Sequence, residues 1–367
     1  MAETIGNMSL GGAFKQGESI IYSLESGSFR NSYFIVSSPG TRRLMASPEV
    51  VGYDSYLSMV PATRDALACL CPEFLPAGGG LDILTILRGG LNYPLEECCH
   101  SLGIRVDNMQ FVSCERIIED GQIKGLDLKY EKLVIHRDCT LMIGDIIATG
   151  DTFRRCLEEV VGLFHRCGGS IRKVVVFTVG GTRAIPLLEG FTQYARSVFP
   201  SFEGVTCIFY EGAFGLYGDK GVSGVNVPDI DFGWKGGCIS PEFRDFILSD
   251  PDALFEKCII YDGGARRYEI SLHCKEVLDY WNDLLAAAPG TSWDAFIEEK
   301  AGHPLGLGFE DWLSVTGYSR LQGLEELYRK EASCLEACRT RSLEEICRRR
   351  AASFAGSLSD YIKTDLI

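Results

Sequence analysis

The run Leu141-Met142-Ile143-Gly144-Asp145-Ile146-Ile147-Ala148-Thr149-Gly150-Asp151-Thr152-Phe153 passes from an apolar segment through an acid and a turn of small, hydroxylated residues into a helix start. The apolar part reads as a buried strand. Ala148-Thr149-Gly150-Asp151-Thr152 then offers backbone N–H groups, two hydroxyls and a glycine that lets the chain curl around a small anion. Downstream, Phe153, Cys156, Leu157, Val160, Val161 and Phe164 recur at the spacing of one helical face, so the spacing predicts an amphipathic helix on a sheet with its positive dipole end at the turn. An ordinary strand-to-helix turn capped by Thr149 or Thr152 needs neither the acid nor the Thr-Gly-x-Thr spacing.

A second turn suits a second anion. The apolar run Leu81–Leu87 ends in Arg88-Gly89-Gly90, where consecutive glycines expose N–H groups to close approach and an arginine supplies charge. Between the two turns, Phe111–Leu133 reads as a strand followed by a polar hairpin with turn glycines, a candidate lid carrying Arg116, Lys124, Lys129 and Tyr130.

These segments together resemble the signature of the type I phosphoribosyltransferases, nearest in motif style to the uracil enzymes: an apolar strand, an acidic pair, two apolar residues, one variable residue and Thr-Gly-x-Thr. The resemblance implies that Asp145 holds the ribose hydroxyls of phosphoribosyl pyrophosphate, directly or through Mg²⁺-bound water. It implies too that Ala148, Thr149, Gly150, Asp151 and Thr152 wrap the 5-phosphate. Arg88, Gly89 and Gly90 stand where the family binds pyrophosphate, and Arg116, Lys124, Lys129 and Tyr130 where it carries a mobile loop. The chain departs from the pattern at the first acid, which is Gly144, and at Gly89, where the uracil enzymes have alanine. Ala148 stands where 6-oxopurine enzymes of the family commonly place an acidic base, which favours a pyrimidine-like acceptor.

From Glu211 to Gly237 the chain is glycine-rich and aromatic and reads as a pocket lip. Glu211, Asp229 and Asp231 are candidates to hydrogen-bond an acceptor ring, and Phe232 or Trp234 to stack on it; a long surface loop pinned by aromatic residues is the equal alternative.

The expected fold is α/β, a parallel-sheet phosphoribosyltransferase-like core over residues 77–237. An N-terminal segment, 1–76, packs beside it, and residues 238–367 form a mostly helical extension, a cap over the pocket or an oligomer surface. Strands are expected at Ile83–Leu87, Asn108–Cys114, Thr140–Ile143, Lys173–Val179 and Val205–Tyr210, with ligands at their carboxyl ends. Helical runs are expected at Ala62–Cys71, Pro241–Leu248, Leu272–Ala288, Trp293–Lys300 and Leu321–Arg350.

A formal net charge of −14 opposes nucleic-acid binding, and the one dense basic cluster, Arg348-Arg349-Arg350, reads as solvated or as compensating the dipole near a helix C-terminus. No apolar run reaches the length of a membrane span and the start lacks a signal-peptide pattern, so the cytoplasm is the expected compartment. Fifteen cysteines without paired Cys-x-x-Cys spacing read as reduced core residues. His136 is the one histidine placed near the expected site, with a structural role. The expected chemistry is Mg²⁺-assisted transfer of a 5-phosphoribosyl group to a small nitrogen heterocycle. A non-catalytic sensor of phosphoribosyl pyrophosphate or a nucleotide, and a hydrolase or specialised transferase using the same grip, remain open.

Overall fold

The computed structural model describes residues 8–74, 81–119, 122–216, 221–225, 232–256 and 263–362. Ten strands form one sheet: β1 (Ser9–Gln16), β2 (Ser19–Glu25), β3 (Ser32–Ser37), β4 (Leu81–Ile86), β5 (Asn108–Glu119), β6 (Gln122–Lys132), β7 (Cys139–Ile147), β8 (Ile171–Gly181), β9 (Gly204–Leu216) and β10 (Phe232–Ile239). Their order is β1-β2-β3-β9-β8-β7-β4-β5-β6, with β10 also on β9. The block from β3 to β5 is parallel, and β1, β2, β6 and β10 join it antiparallel.

Continuous apolar composition builds this centre. All six residues of β4 are buried, as are Leu141, Met142 and Ile143 of β7 and Val174–Phe177 of β8, because helices cover both faces of a parallel sheet. The helix Asp151–Arg166 presents Phe153, Cys156, Leu157, Val160, Val161 and Phe164 to the interior, all buried, as their spacing predicts.

Three expectations are corrected. The N-terminal segment does not simply lie beside the core: β3 joins the sheet in parallel register, Tyr33 opposite Cys207 and Ile35 opposite Phe209, since Tyr33–Val36 is apolar on both faces. The Glu211–Gly237 lip is in part regular structure, the end of β9 and most of β10. There a Cβ on Gly237 would lie 2.7 Å from the Gly215 nitrogen, so these glycines permit a close backbone crossing. The run Leu321–Arg350 is two helices, Glu325–Arg339 and Leu343–Ser357, because Ser342 is extended and restarts the chain.

Helices after β10 pack around Trp281 and Trp312, both buried. Arg348 and Arg349 of the arginine cluster are exposed, paired with Glu344 and Asp252, whereas Arg350 is largely buried against Glu256 at 2.5 Å and Glu49 at 3.4 Å. The described cysteines are free thiols; Cys258 lies outside the described residues. No described helix is long and apolar enough to cross a membrane.

Candidate functional site

Parallel strands deliver their C-terminal ends to one edge of the sheet, and there the two turns meet. Past β4 the Leu87–Arg88 peptide bond is cis, and the chain enters a short 3-10 turn at Gly89–Asn92. A Cβ on Gly89 would lie 2.6 Å from Oδ1 of Asp145, on the neighbouring β7. A side chain at Gly89 would displace the carboxylate from this position. Gly90 is as constrained, its absent Cβ falling 3.1 Å from the Thr85 methyl and 3.2 Å from the Gly144 carbonyl oxygen.

Burial pushes the Asp145 carboxyl up to about 7, although the residue keeps some solvent contact; the Ile146 N–H, donating to Oδ1 at 2.9 Å, offsets part of the rise. The missing first acid has a steric cause. A side chain on Gly144 would run into the Tyr93 ring, which fills that space while its buried hydroxyl accepts the Val179 N–H at 3.2 Å.

The turn after β7 leads to Gly150, which caps the helix Asp151–Arg166 with φ +77° and no side-chain hydrogen bond. A glycine at the N-cap supplies no side-chain oxygen of its own to the positive end of the helix, where an anion is favoured. Ala148 and Thr149, which precede it, and Thr152 within it are partly exposed; the Asp151 side chain lies outside the described residues. Gly150 itself faces inward: its absent Cβ would meet Leu187 at 2.6 Å and Ile147 at 3.0 Å. Backbone shape and packing, rather than room for a phosphate, therefore require glycine here.

Arg88 is exposed and pairs with Glu269 at 3.2 Å. Its partner precedes the helix Ile270–Ala287, so the C-terminal extension touches the first turn. The β5–β6 hairpin forms as expected, with Tyr130 exposed. Lys129 is engaged within the hairpin, 2.5 Å from Asp127 and 3.4 Å from Glu115. The Arg116 and Lys124 side chains, and Asp229 and Asp231 entirely, lie outside the described residues. His136 sits at the other end of the strands, 2.7 Å from the Asn108 amide and 3.6 Å from buried Asp82, away from Asp145.

Glu211 does not reach out to an acceptor. It is fully buried at φ +62°, accepting hydrogen bonds from the Ser38 N–H and the Ser240 hydroxyl, both at 3.0 Å, and from the Thr41 hydroxyl. Its carboxylate clamps three chain segments together. Phe232 is likewise core, 5.9 Å from the Phe214 ring, and Trp234 lies under the Arg244 guanidinium at 4.4 Å.

Burial pushes Glu211 up to about 7, with the hydroxyl and N–H donors pulling the other way. A carboxyl that binds its proton more tightly folded than unfolded stabilises the fold at low pH and loses that contribution as pH rises from its ordinary range through about 7. Glu211→Gln is therefore expected to flatten the fall in stability between pH 5 and pH 8, read as urea midpoints across that range. An unchanged slope would place the proton elsewhere.

Tyr93, Arg267, Tyr268 and Glu269 border the site without having been marked by any motif. The double glycine Gly263-Gly264 before Arg266-Arg267-Tyr268 was the one local signal.

No family model and no curated protein matches the chain. Among solved structures, it is similar to a hypoxanthine phosphoribosyltransferase from Staphylococcus aureus, 14% identical over 37% of this chain and 68% of that one, TM-score 0.26. A purine phosphoribosyltransferase from Pyrococcus horikoshii Ot3 is 19% identical over 41% and 81%, TM-score 0.26. The hypoxanthine-guanine phosphoribosyl transferase of L. donovani is 14% identical over 38% and 76%, TM-score 0.27. Superpositions this loose say nothing further about this chain.

Proposed function

We propose that this chain grips a 5-phosphoribosyl group and transfers it from phosphoribosyl pyrophosphate to a ring nitrogen of a small heterocycle. The observation that carries the reading is the approach of Gly89 to the Asp145 carboxylate, which joins an anion-suited turn to an acid a few residues before a helix start capped by glycine. In this reading the helix start and the Ala148–Thr152 turn hold the 5-phosphate. Asp145 orients the ribose hydroxyls, and Arg88 with the Gly89-Gly90 backbone receives the departing pyrophosphate. The C1–O bond breaks with its electron pair leaving on pyrophosphate, the C1–N bond forms, and the ring nitrogen releases its proton to water.

Magnesium suits this donor set in one form only. Oδ1 of Asp145 is hydrogen-bonded to Ile146, and no group of three His, Cys, Asp or Glu residues among the described residues gathers to hold a metal ion. One carboxylate fits a water-mediated contact to an ion carried in on substrate phosphates. Bound there, the ion neutralises charge on the leaving group.

Asp145→Asn is expected to slow pyrophosphate release by about a hundredfold, the usual scale for losing one aligned polar group at a reacting centre. Coupled pyrophosphate detection across a panel of acceptors measures it, and near-parental turnover would remove Asp145 from the chemistry. With Ala148 offering no base, pyrimidine-like rings are the expected acceptors. Tighter calorimetric binding of hypoxanthine or guanine would overturn that preference.

Tyr93 favours a second reading. With its ring in place of the first acid, the same grip suits a non-catalytic sensor of a phosphoribosyl ligand. Ribose 5-phosphate binding without pyrophosphate release for any acceptor would establish it.

A further inference from the structure

Two cysteines from distant parts of the chain meet beside Asp145. Cys114 lies on β5, opposite Leu128 of β6, and keeps some contact with solvent. Cys156 is fully buried on the inward face of the helix Asp151–Arg166, which packs on both of those strands. The two thiols are hydrogen-bonded to one another, and the Asp145 charge acts on both. Cys156 donates, which favours the thiolate on Cys114 and disfavours it on Cys156.

Cys334 and Cys338 share a hydrogen bond too, but both are buried one turn apart on a single helix, where a link would tie together nothing that the helix does not already hold. A bond from Cys114 to Cys156 would instead join the β5–β6 hairpin to the helix whose start follows Gly150. An S–S bond is about 2.05 Å long, well short of a hydrogen-bonded thiol contact. Closing it therefore draws β5 and the helix together, next to the acid and the turn. One thiol reachable from solvent with a second in contact behind it is the arrangement of an attacking and a resolving cysteine.

We infer that Cys114 and Cys156 form a reversible disulfide, a modification site through which a hydroperoxide weakens the grip on the phosphosugar. The Cys114 sulfur attacks the peroxide, the O–O bond breaks, and Cys114 becomes a sulfenic acid while the second oxygen leaves, as water when the oxidant is hydrogen peroxide. The Cys156 sulfur then attacks the Cys114 sulfur, the S–O bond breaks, and the hydroxyl leaves as water with the Cys156 proton. Two thiols give up two electrons and two protons, and one peroxide takes them. The disulfide stands on the cysteine pair alone; its effect on binding rests on the phosphosugar reading.

Treating the full chain with equimolar hydrogen peroxide, alkylating the remaining thiols, digesting with trypsin without reductant and weighing the peptides tests it, with ribose 5-phosphate titrated calorimetrically before and after. Cleavage after Arg105, Arg116, Arg155 and Arg166 leaves each of the two cysteines alone in its peptide, so the linked pair is identified by mass. The linked peptide is expected to form, ribose 5-phosphate affinity to fall at least tenfold, and both to revert with dithiothreitol. Cys114→Ser should bind ribose 5-phosphate like the parent and keep that affinity in peroxide. In Cys156→Ala the sulfenic acid should persist on Cys114 and be trapped by dimedone. Absence of the linked peptide, linkage of Cys114 to a different cysteine, or a linked peptide with unaltered affinity overturns the inference. A reduced parent that does not bind ribose 5-phosphate instead strikes the phosphosugar reading, and the linked peptide would then still establish the disulfide.

Discussion

Gly150→Val is expected to weaken ribose 5-phosphate binding at least tenfold and to destabilise the fold as well. At φ +77° a branched residue carries backbone strain of about 1–3 kcal/mol. Its Cβ would also enter the space of the partly exposed Leu187 side chain, 2.6 Å away, and displace it. The damage is transmitted through the helix Ala184–Val198 rather than by occluding a ligand. Leu187→Ala should therefore recover part of the stability lost in Gly150→Ala, a coupling that a double-mutant cycle reads directly. Additive losses would mean that packing against Leu187 is not what the glycine serves.

Glu331→Ala is expected to lower unfolding free energy by about 3–5 kcal/mol, the scale for stripping one partner from a buried ion pair. Burial raises the Glu331 carboxyl, but Arg244 and His303 beside it more than offset this and hold it below its ordinary range. Its Oε1 lies 2.7 Å from both Arg244 Nη1 and His303 Nε2, and its Oε2 accepts from the Trp312 indole at 3.2 Å. Alanine would leave the buried Arg244 guanidinium facing only the Tyr318 hydroxyl at 3.3 Å and the Trp234 ring. Urea unfolding with an unchanged m value measures the loss. A shift below about 1 kcal/mol, the range of surface pairs, would show the network to be dispensable.

Local composition made the central strands legible. The expected Thr140–Ile143 and Lys173–Val179 fall inside β7 and β8, because an apolar run too short for a buried helix and bounded by turn residues has few other solutions. The two glycine turns were legible for the same reason, since their chemistry is written in consecutive residues. What escaped were meetings between distant segments. Nothing in Tyr93 announces that its ring replaces a side chain at Gly144, and nothing in Arg267 announces Tyr56. Glu211 was misread because an acid at a strand end looks the same whether it faces a ligand or three buried donors from elsewhere. The single long helix expected at the C terminus failed at Thr340–Ser342, where polar residues without glycine or proline still turned the chain.

The seating of β3 against β9 has a consequence for how the chain is made. Tyr33 waits for Cys207, and at about 5–20 residues per second a ribosome needs roughly ten to thirty seconds to supply it. Until then β3 has β2 on one side and an unpaired edge on the other, and Ile35 and Val36, buried in the finished fold, lack their covering neighbours. The nascent chain thus carries an unpartnered apolar strand through the making of all the residues between β3 and β9, an interval in which slow synthesis and chaperones bear on its fate.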